Sequence, residues 1–318
     1  MKTLYPAIEP YNTFYLDTGT WHRVRVEECG NPSGFPVIFL HGGPASGCKP
    51  DHRRFFDPVK FRVILFDQRG SGLSMPYGEL ENNTSQDLVE DMERIRRKLQ
   101  IDRWMLFGGS WGGALALLYA QHYPENVAAM IVRGVFLARQ CDLDWFVKDG
   151  VNRIYPEHWQ RLRSCLPDEG QGGDPIQALC RCLWRDDELA RLRAAKEWLA
   201  WSSHVALGND YDPESEENLH AHKILLQVRM EMHYARNRYF LEEDQILANC
   251  DRIPQIPMVI IHGRDDLVCP LEAGYSLHQR LPWAEFRILP NAGHVAQGEV
   301  MIDALVSATD AIAERLSR

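Results

Sequence analysis

The chain has 318 residues, 45% of them apolar and 25% charged, with a formal net charge of −9. That apolar share is enough for a packed core and excludes a disordered chain, and the acidic balance excludes recognition of a phosphate backbone by a clustered basic surface. No run approaches about twenty uninterrupted apolar residues and the first ten lack the apolar segment of a secretory signal, so the expectation is a soluble cytoplasmic protein with neither a membrane nor a nucleic-acid partner.

In chain order, Val24 and Val26 alternate with Arg23, Arg25 and Glu27, which predicts an antiparallel hairpin over Phe14 to Cys29, turning at Asp17-Thr18-Gly19-Thr20 at the sheet edge. Val37-Ile38-Phe39-Leu40 is apolar throughout, as a strand buried on both faces must be, and stops at His41-Gly42-Gly43-Pro44. A glycine pair there frees backbone N–H groups to face a ligand, which makes Gly43 a candidate oxyanion donor and gives His41 the task of orienting the loop. Arg62 to Phe66 is the next strand. It runs into Asp67-Gln68-Arg69-Gly70-Ser71-Gly72-Leu73-Ser74, expected to be a tight, internally hydrogen-bonded supporting loop. Thr84 and Asp87 resemble a capping box, after which Leu88, Met92, Ile95 and Leu99 share one helix face and Glu90 and Arg94 pair on the wet side.

Met105 to Gly113 reads as a strand, a glycine turn and a helix start, with Ser110 at the apex of Gly108-Gly109-Ser110-Trp111-Gly112. A strand reversing directly into a helix brings backbone against backbone, so the residues beside the serine must lack side chains. The serine hydroxyl then stands clear beside a helix N-terminus, whose unpaired N–H groups favour a developing oxyanion. Another strand spans Val127 to Gly134. Between about Leu137 and Asn249 apolar residues recur at helical spacing, tryptophans stand at 145, 159, 184, 198 and 201, and breaks such as Pro167 to Asp174 separate short helices. Residues 1–136 and 250–318 are thus read as an α/β core with a mostly parallel sheet, and 137–249 as an inserted helical cap roofing the strand ends. Most of the cap aromatics are expected to be packing. Its histidines at 158, 204, 220, 222 and 233 show no metal-ligand spacing, and the eight cysteines contain no C-x-x-C pair, which predicts reduced thiols.

The sheet resumes at Met258 to Gly263, followed by Asp265 and Asp266; Ala284 to Leu289 is the last strand, followed by His294 and a final helix carrying Val300, Met301, Leu305, Ile312 and Leu316. The chain order Ser110, Asp266, His294, each after a separate strand, is that of a nucleophile–acid–histidine triad, with Asp265 as the competing acid. Such a set lets His294 take the Ser110 proton while Asp266 fixes the imidazole tautomer, and lets the N–H groups of Trp111 and Gly43 hold the oxyanion. Serine, imidazole and water supply every group this needs, so no metal and no organic cofactor is expected.

Several of these stretches, namely His41-Gly42-Gly43-Pro44, Asp67 to Ser74, Glu81-Asn82-Asn83-Thr84, Gly108 to Gly112, Arg133-Gly134-Val135-Phe136-Leu137 and His262-Gly263-Arg264-Asp265-Asp266, together resemble the bacterial proline iminopeptidases, serine peptidases of the α/β-hydrolase fold. The similarity runs nearly end to end. It implies removal of N-terminal proline from small peptides, with Ser110, Asp266 and His294 matching that family's triad, and Phe136, Phe146 and Cys269 matching positions that line its prolyl pocket. Two departures stand out. The family's cap segment Trp-Ser-x-Trp-Glu, whose glutamate helps bind the substrate's free amine, reads Trp198-Leu199-Ala200-Trp201-Ser202 here, while a second such glutamate matches Glu231; and Ala45 follows His-Gly-Gly-Pro where the family has glycine. Ser202 in place of a carboxylate leaves open an esterase, an amidase or an aminopeptidase of altered specificity on the same scaffold, acting on a small peptide or an amino-acid amide or ester. It also leaves open whether Asp210, Asp212, Glu214, Glu216 or Glu217 supplies the lost acid. A catalytically silent binding protein would have no use for the complete set of serine, acid, histidine and glycine loop.

Overall fold

The computed structural model describes residues 1–167, 173–212 and 220–316. In chain order its principal elements are β1 (Asn12–Asp17), β2 (Arg23–Gly30), β3 (Phe35–Leu40), β4 (Phe61–Phe66), α1 (Ser85–Lys98), β5 (Trp104–Ser110), α2 (Trp111–His122) and β6 (Val127–Val135). Then come α3 (Gln140–Val147), α4 (Pro156–Arg163), α5 (Pro175–Leu183), α6 (Glu188–Leu207), α7 (Ala221–Arg236) and α8 (Gln245–Ala248), and finally β7 (Met258–Gly263), α9 (Leu271–Arg280), β8 (Glu285–Leu289) and α10 (Glu299–Leu316).

All eight strands join one sheet in the order β1-β2-β4-β3-β5-β6-β7-β8. The hairpin β1–β2 is antiparallel and β2 also runs against β4, while every pairing from β4 through β3 to β8 is parallel. Successive residues of a strand face opposite sides. Ile38, Leu40, Ile64, Phe66 and Leu106 therefore enter one apolar layer with α1, α2 and α9, and Val37, Phe39, Val63, Leu65, Met105 and Phe107 enter the other with α10. Burial on both faces is why these strands read as unbroken apolar runs. The parallel strands end on a common edge, so the loops after β3, β4, β5, β6, β7 and β8 converge where open α/β sheets bind ligands.

Helix α1 opens with the capping box: the Asp87 N–H donates to Thr84 Oγ1 at 3.2 Å and the Thr84 N–H to Asp87 Oδ2 at 3.0 Å. Its wet side departs from expectation. Glu90 accepts from the Tyr123 hydroxyl at 2.6 Å and Arg94 donates to Asp91 at 2.9 Å, so the Glu90–Arg94 pair gives way to these closer partners. The loop after β4 is tied internally as expected, with Asp67 accepting from the Cys48 and Leu73 N–H groups and Ser71 Oγ donating to the Gln68 carbonyl.

The helices between β6 and β7 have an apolar cluster of their own, from Val147 to Ala235, in which Trp198 and Trp201 are buried and Trp145 and Trp159 half-buried, whereas Trp184 lies outside under Arg229 and Arg236. Leu137, Ala138, Leu241 and Ile246, at the two ends of the insertion, pack instead with the sheet. Asp168 to Gly172, within the break expected at 167–174, lie outside the described residues. All eight cysteines are free thiols, and no described helix is long and apolar enough to cross a membrane.

Candidate active site

β5 turns into α2 at Ser110, whose φ of 55° and ψ of −126° belong to a region that costs a non-glycine residue about 1–3 kcal/mol. The flanking glycines permit it. A Cβ on Gly112 would collide with the Leu40 carbonyl, and one on Gly109 with the Arg133 guanidinium. Gly42 of the preceding glycine loop lies close by, the place for its Cβ being 3.6 Å from Ser110 Cβ; Gly43 follows, exposed, at φ +112°. The loop's orientation comes from His41, which donates from Nδ1 to the Gly42 carbonyl at 2.9 Å and accepts the Gln68 N–H on Nε2 at 3.0 Å. Gln68 in turn donates to the His41 carbonyl and accepts the Trp111 indole N–H, so glycine loop, supporting loop and elbow form one hydrogen-bonded unit.

Of the two candidate acids, Asp265 is exposed and Asp266 buried. The Asp266 carboxylate accepts from His294 Nδ1 at 2.8 and 3.0 Å, and from the Val268 and Cys269 N–H groups at 3.0 and 2.8 Å. Burial pushes this carboxyl up, but His294, His262 and the Cys269 N–H together outweigh it and hold it below the usual carboxylate range. With Nδ1–H committed to the carboxylate, His294 keeps Nε2 as an acceptor. Gly134, on the strand beside the elbow, takes φ +53° under this pair; a Cβ there would sit 3.2 Å from Asp266 Oδ2 and from His294 Nδ1. Its neighbour Val135 is in register with Ser110. Cys269 closes the circle: its backbone N–H holds Asp266, and burial first of all raises its thiol well above the ordinary value, so it stays neutral.

Two groups that sequence reasoning left without a role, the half-buried Arg133 and the buried His262, brace this centre. Arg133 donates to the His294 backbone carbonyl from β6. His262 accepts the Val135 N–H on Nδ1 at 3.2 Å and donates from Nε2 to the Cys269 carbonyl at 2.8 Å, and burial holds its pKa down.

Over the elbow, Tyr239 lies 5.3 Å from Trp111 and 4.8 Å, edge-on, from Phe136. It is presented by a turn in which Arg238, Tyr239 and Phe240 all have φ between 50° and 56°, pinned by the side chains of Ser85 and Gln86. Phe146 meets Trp198 edge-on at 5.8 Å, and the Trp198 indole donates to Glu231 Oε2 at 2.8 Å while Gln227 donates to Oε1 at 3.1 Å. Glu231 is half-buried, and desolvation raises its pKa against the pull of those two donors. It is thus a held carboxylate rather than a solvated one. The Ser202 hydroxyl donates to the Leu199 carbonyl of its own helix at 3.0 Å. Asp210 and Asp212 are exposed, and Glu214, Glu216 and Glu217 lie outside the described residues.

The Glu-Asn-Asn-Thr stretch joins core to insertion. Asn83 donates to the Arg69 and Glu79 carbonyls and accepts the Tyr234 hydroxyl at 2.7 Å, and His233 donates to its backbone carbonyl at 3.0 Å. Arg69 is anchored by a buried bidentate pair with Asp91 at 2.6 and 2.8 Å. Helix α7, which carries Glu231, is thereby fixed to the loop beside the elbow.

The α/β-hydrolase fold family matches residues 36–299. A proline iminopeptidase of Xylella fastidiosa is 46% identical over 314 residues, covering 98% of this chain and 99% of that protein. One of Arabidopsis thaliana is 41% identical over 297 residues, covering 93% and 78%. Among solved structures, a proline iminopeptidase-related protein of Thermus thermophilus aligns over 96% of this chain and 97% of its own at 24% identity and a TM-score of 0.57. A bromoperoxidase of Bacillus anthracis aligns over 96% and 100% at 18% identity and 0.63. At these identities the likeness to solved structures is one of fold.

Proposed function

We propose, for a chain that belongs to the proline iminopeptidase family of α/β-hydrolases, that it releases N-terminal proline from small peptides through an acyl-enzyme on Ser110. The observation that carries this reading is the buried Asp266–His294 pair set beside the strained elbow. His294 takes the hydroxyl proton as Ser110 Oγ attacks the prolyl carbonyl, and Asp266 stabilises the imidazolium. The N–H groups of Trp111 and Gly43 receive the oxyanion, a contribution of about 10²–10³ in rate per donor. Collapse of the tetrahedral adduct breaks the C–N bond, His294 hands its proton to the leaving amine, and water then cleaves the prolyl ester to give proline and free Ser110. Glu231 pairs with the substrate's ammonium, and Phe136, Phe146 and Cys269 wall the ring. The free thiols suit a reducing compartment, and the same reading puts the enzyme in the cytoplasm.

Purified protein should liberate the chromophore from a prolyl arylamide and lose that activity in Ser110→Ala. A second reading, an esterase or amidase for substrates without a free amine, is favoured by Ser202, whose hydroxyl is spent on its own helix and leaves Glu231 as the one carboxylate that matches an amine-binding position. Rapid cleavage of acyl esters and of an N-acetylprolyl arylamide, with none of the free prolyl arylamide, would decide for it.

A further inference from the structure

Arg238, Tyr239 and Phe240 hold φ of 50°, 55° and 56°, a left-handed run in which bulky side chains are outliers and which L-residues otherwise enter singly. Such a turn lasts only where its surroundings over-determine it. The first turn of α1 does so here: Ser85 Oγ donates to the Tyr239 carbonyl, and Gln86 Nε2 donates to that of Phe240 at 3.0 Å. The N–H groups of Phe240 and Leu241 return to the Asn237 and Arg238 carbonyls at 2.8 and 3.1 Å. Glycine would take this backbone freely, so what the turn holds in place is the phenol ring.

That ring is set among residues of the candidate site. It lies 5.3 Å from Trp111, which follows the nucleophile, and 4.8 Å edge-on from Phe136, which follows the strand residue in register with Ser110. Its hydroxyl differs from those of Tyr119, Tyr123 and Tyr234, which donate to Glu93, Glu90 and Asn83. It meets no hydrogen-bond partner among the described residues, yet it is not one of the buried polar atoms left without one, so it opens on accessible space. The groups that act on it say which space: after burial, Glu231, then Cys269 and Asp142, raise its pKa, which puts a neutral phenol at the crevice proposed to run from Glu231 to Cys269. A half-buried ring with its polar edge in that crevice is a wall of it rather than core filling.

We propose that Tyr239 sets the size limit of the acyl group that Ser110 accepts, its ring closing the pocket over Phe136 so that a five-membered ring enters and larger groups do not. The inference rests on the reading of Ser110 as nucleophile and not on recognition of the amine.

The probes are the p-nitrophenyl esters of cyclopentanecarboxylate, the carbocyclic counterpart of proline, and of cyclooctanecarboxylate, which adds three methylenes at the same kind of carbonyl, with a prolyl arylamide beside them. In Tyr239→Gly, kcat/KM for the cyclooctane ester should rise about tenfold or more, while that for the cyclopentane ester, which loses a wall, falls about threefold. Tyr239→Ala should shift the ratio of the two esters as far, and should unfold at a lower urea concentration than Tyr239→Gly because alanine keeps the backbone penalty that glycine lacks. Tyr239→Phe, which keeps the ring, should keep the parent's ratio. Equal changes on both esters in the glycine and alanine variants would make Tyr239 a packing residue and overturn the proposal, as would a ratio that moves in Tyr239→Phe as it does in Tyr239→Gly. Cleavage of the esters but not of the arylamide would remove amine recognition from the proposed function while the ratio still decides on Tyr239; a parent inert to all three compounds would overturn both.

Discussion

Glu231 receives the Trp198 indole N–H at 2.8 Å, joining helix α6 to helix α7 at the carboxylate proposed to meet the substrate amine. Gln227 holds the other oxygen, so the carboxylate is aimed rather than free to turn. Glu231→Gln keeps the shape and removes the charge. Charge-assisted contacts contribute about 1.5–3 kcal/mol, so kcat/KM for a prolyl arylamide should fall about 10- to 100-fold, while turnover of an uncharged acyl ester stays within twofold. Equal losses on both substrates would separate Glu231 from amine recognition.

Asp266 shows which way acid should act on the centre. Its folded-state pKa is depressed, so it contributes stability that is present above the ordinary carboxyl value of 3.8 and is lost as pH falls through the lower folded value. Glu93 behaves likewise: burial is opposed by hydrogen bonds from Arg96, Arg97 and Tyr119, and the group is held at about 2, so its share is lost between about 4.5 and 2. Urea melts across pH 6 to pH 2 should show stability declining toward acid, with a flatter decline in Glu93→Gln. That variant should also be about 1–3 kcal/mol less stable at neutral pH, because an amide offers its arginine and tyrosine partners one acceptor oxygen in place of two and no charge.

How much of this was legible in the sequence depends on how local the constraint is. The elbow could be read because the clash of a Cβ at Gly112 with Leu40 is decided within one strand–turn–helix unit, and the six loops at the sheet edge follow from strands that end in glycine and charge. The pairing of Asp266 rather than Asp265 with His294 needed only that one of two adjacent side chains face the sheet end. Contacts across the insertion were not legible. Tyr239 reaches Trp111 and Phe136 by way of three consecutive left-handed residues, which no propensity favours, and Trp198 meets Glu231 only through the packing of α6 on α7, whereas Gln227 lies one turn before Glu231 on α7 itself. Arg133 and His262 read as strand residues, and the polar partners that give them work lie 161 and 127 positions away.

Asn83 tests the tie between loop and insertion. Its amide satisfies two carbonyls and the Tyr234 hydroxyl in a buried setting, so Asn83→Ala leaves several groups unpaired and should cost about 2–4 kcal/mol by urea melt. Because helix α7 carries Glu231 while Ser110, Asp266 and His294 sit on the sheet, KM for the prolyl arylamide should rise several-fold with kcat changed less. A fall in kcat alone would mean that the loop braces the elbow and not the amine site.

Arg133 is a positioning residue rather than one that touches substrate: its guanidinium lies against Gly109 on one side and holds the His294 carbonyl on the other, joining the turn that carries the serine to the loop that carries the imidazole. Desolvation lowers its pKa, and Asp266 pulls in the opposite direction. A lysine ammonium is a point charge on a flexible stem and cannot span both contacts as a planar fork does. Arg133→Lys should therefore lower kcat for the prolyl arylamide about 10- to 100-fold, a scale set by a displacement of about 1 Å at the reacting atoms, with KM within twofold because Glu231 and the aromatic walls are untouched. Arg133→Met, which also leaves the His294 carbonyl without its donor, should lose more activity and about 1–3 kcal/mol of stability. Steady-state kinetics with a urea melt on each variant checks this, and a KM effect larger than the kcat effect would assign Arg133 to substrate binding instead.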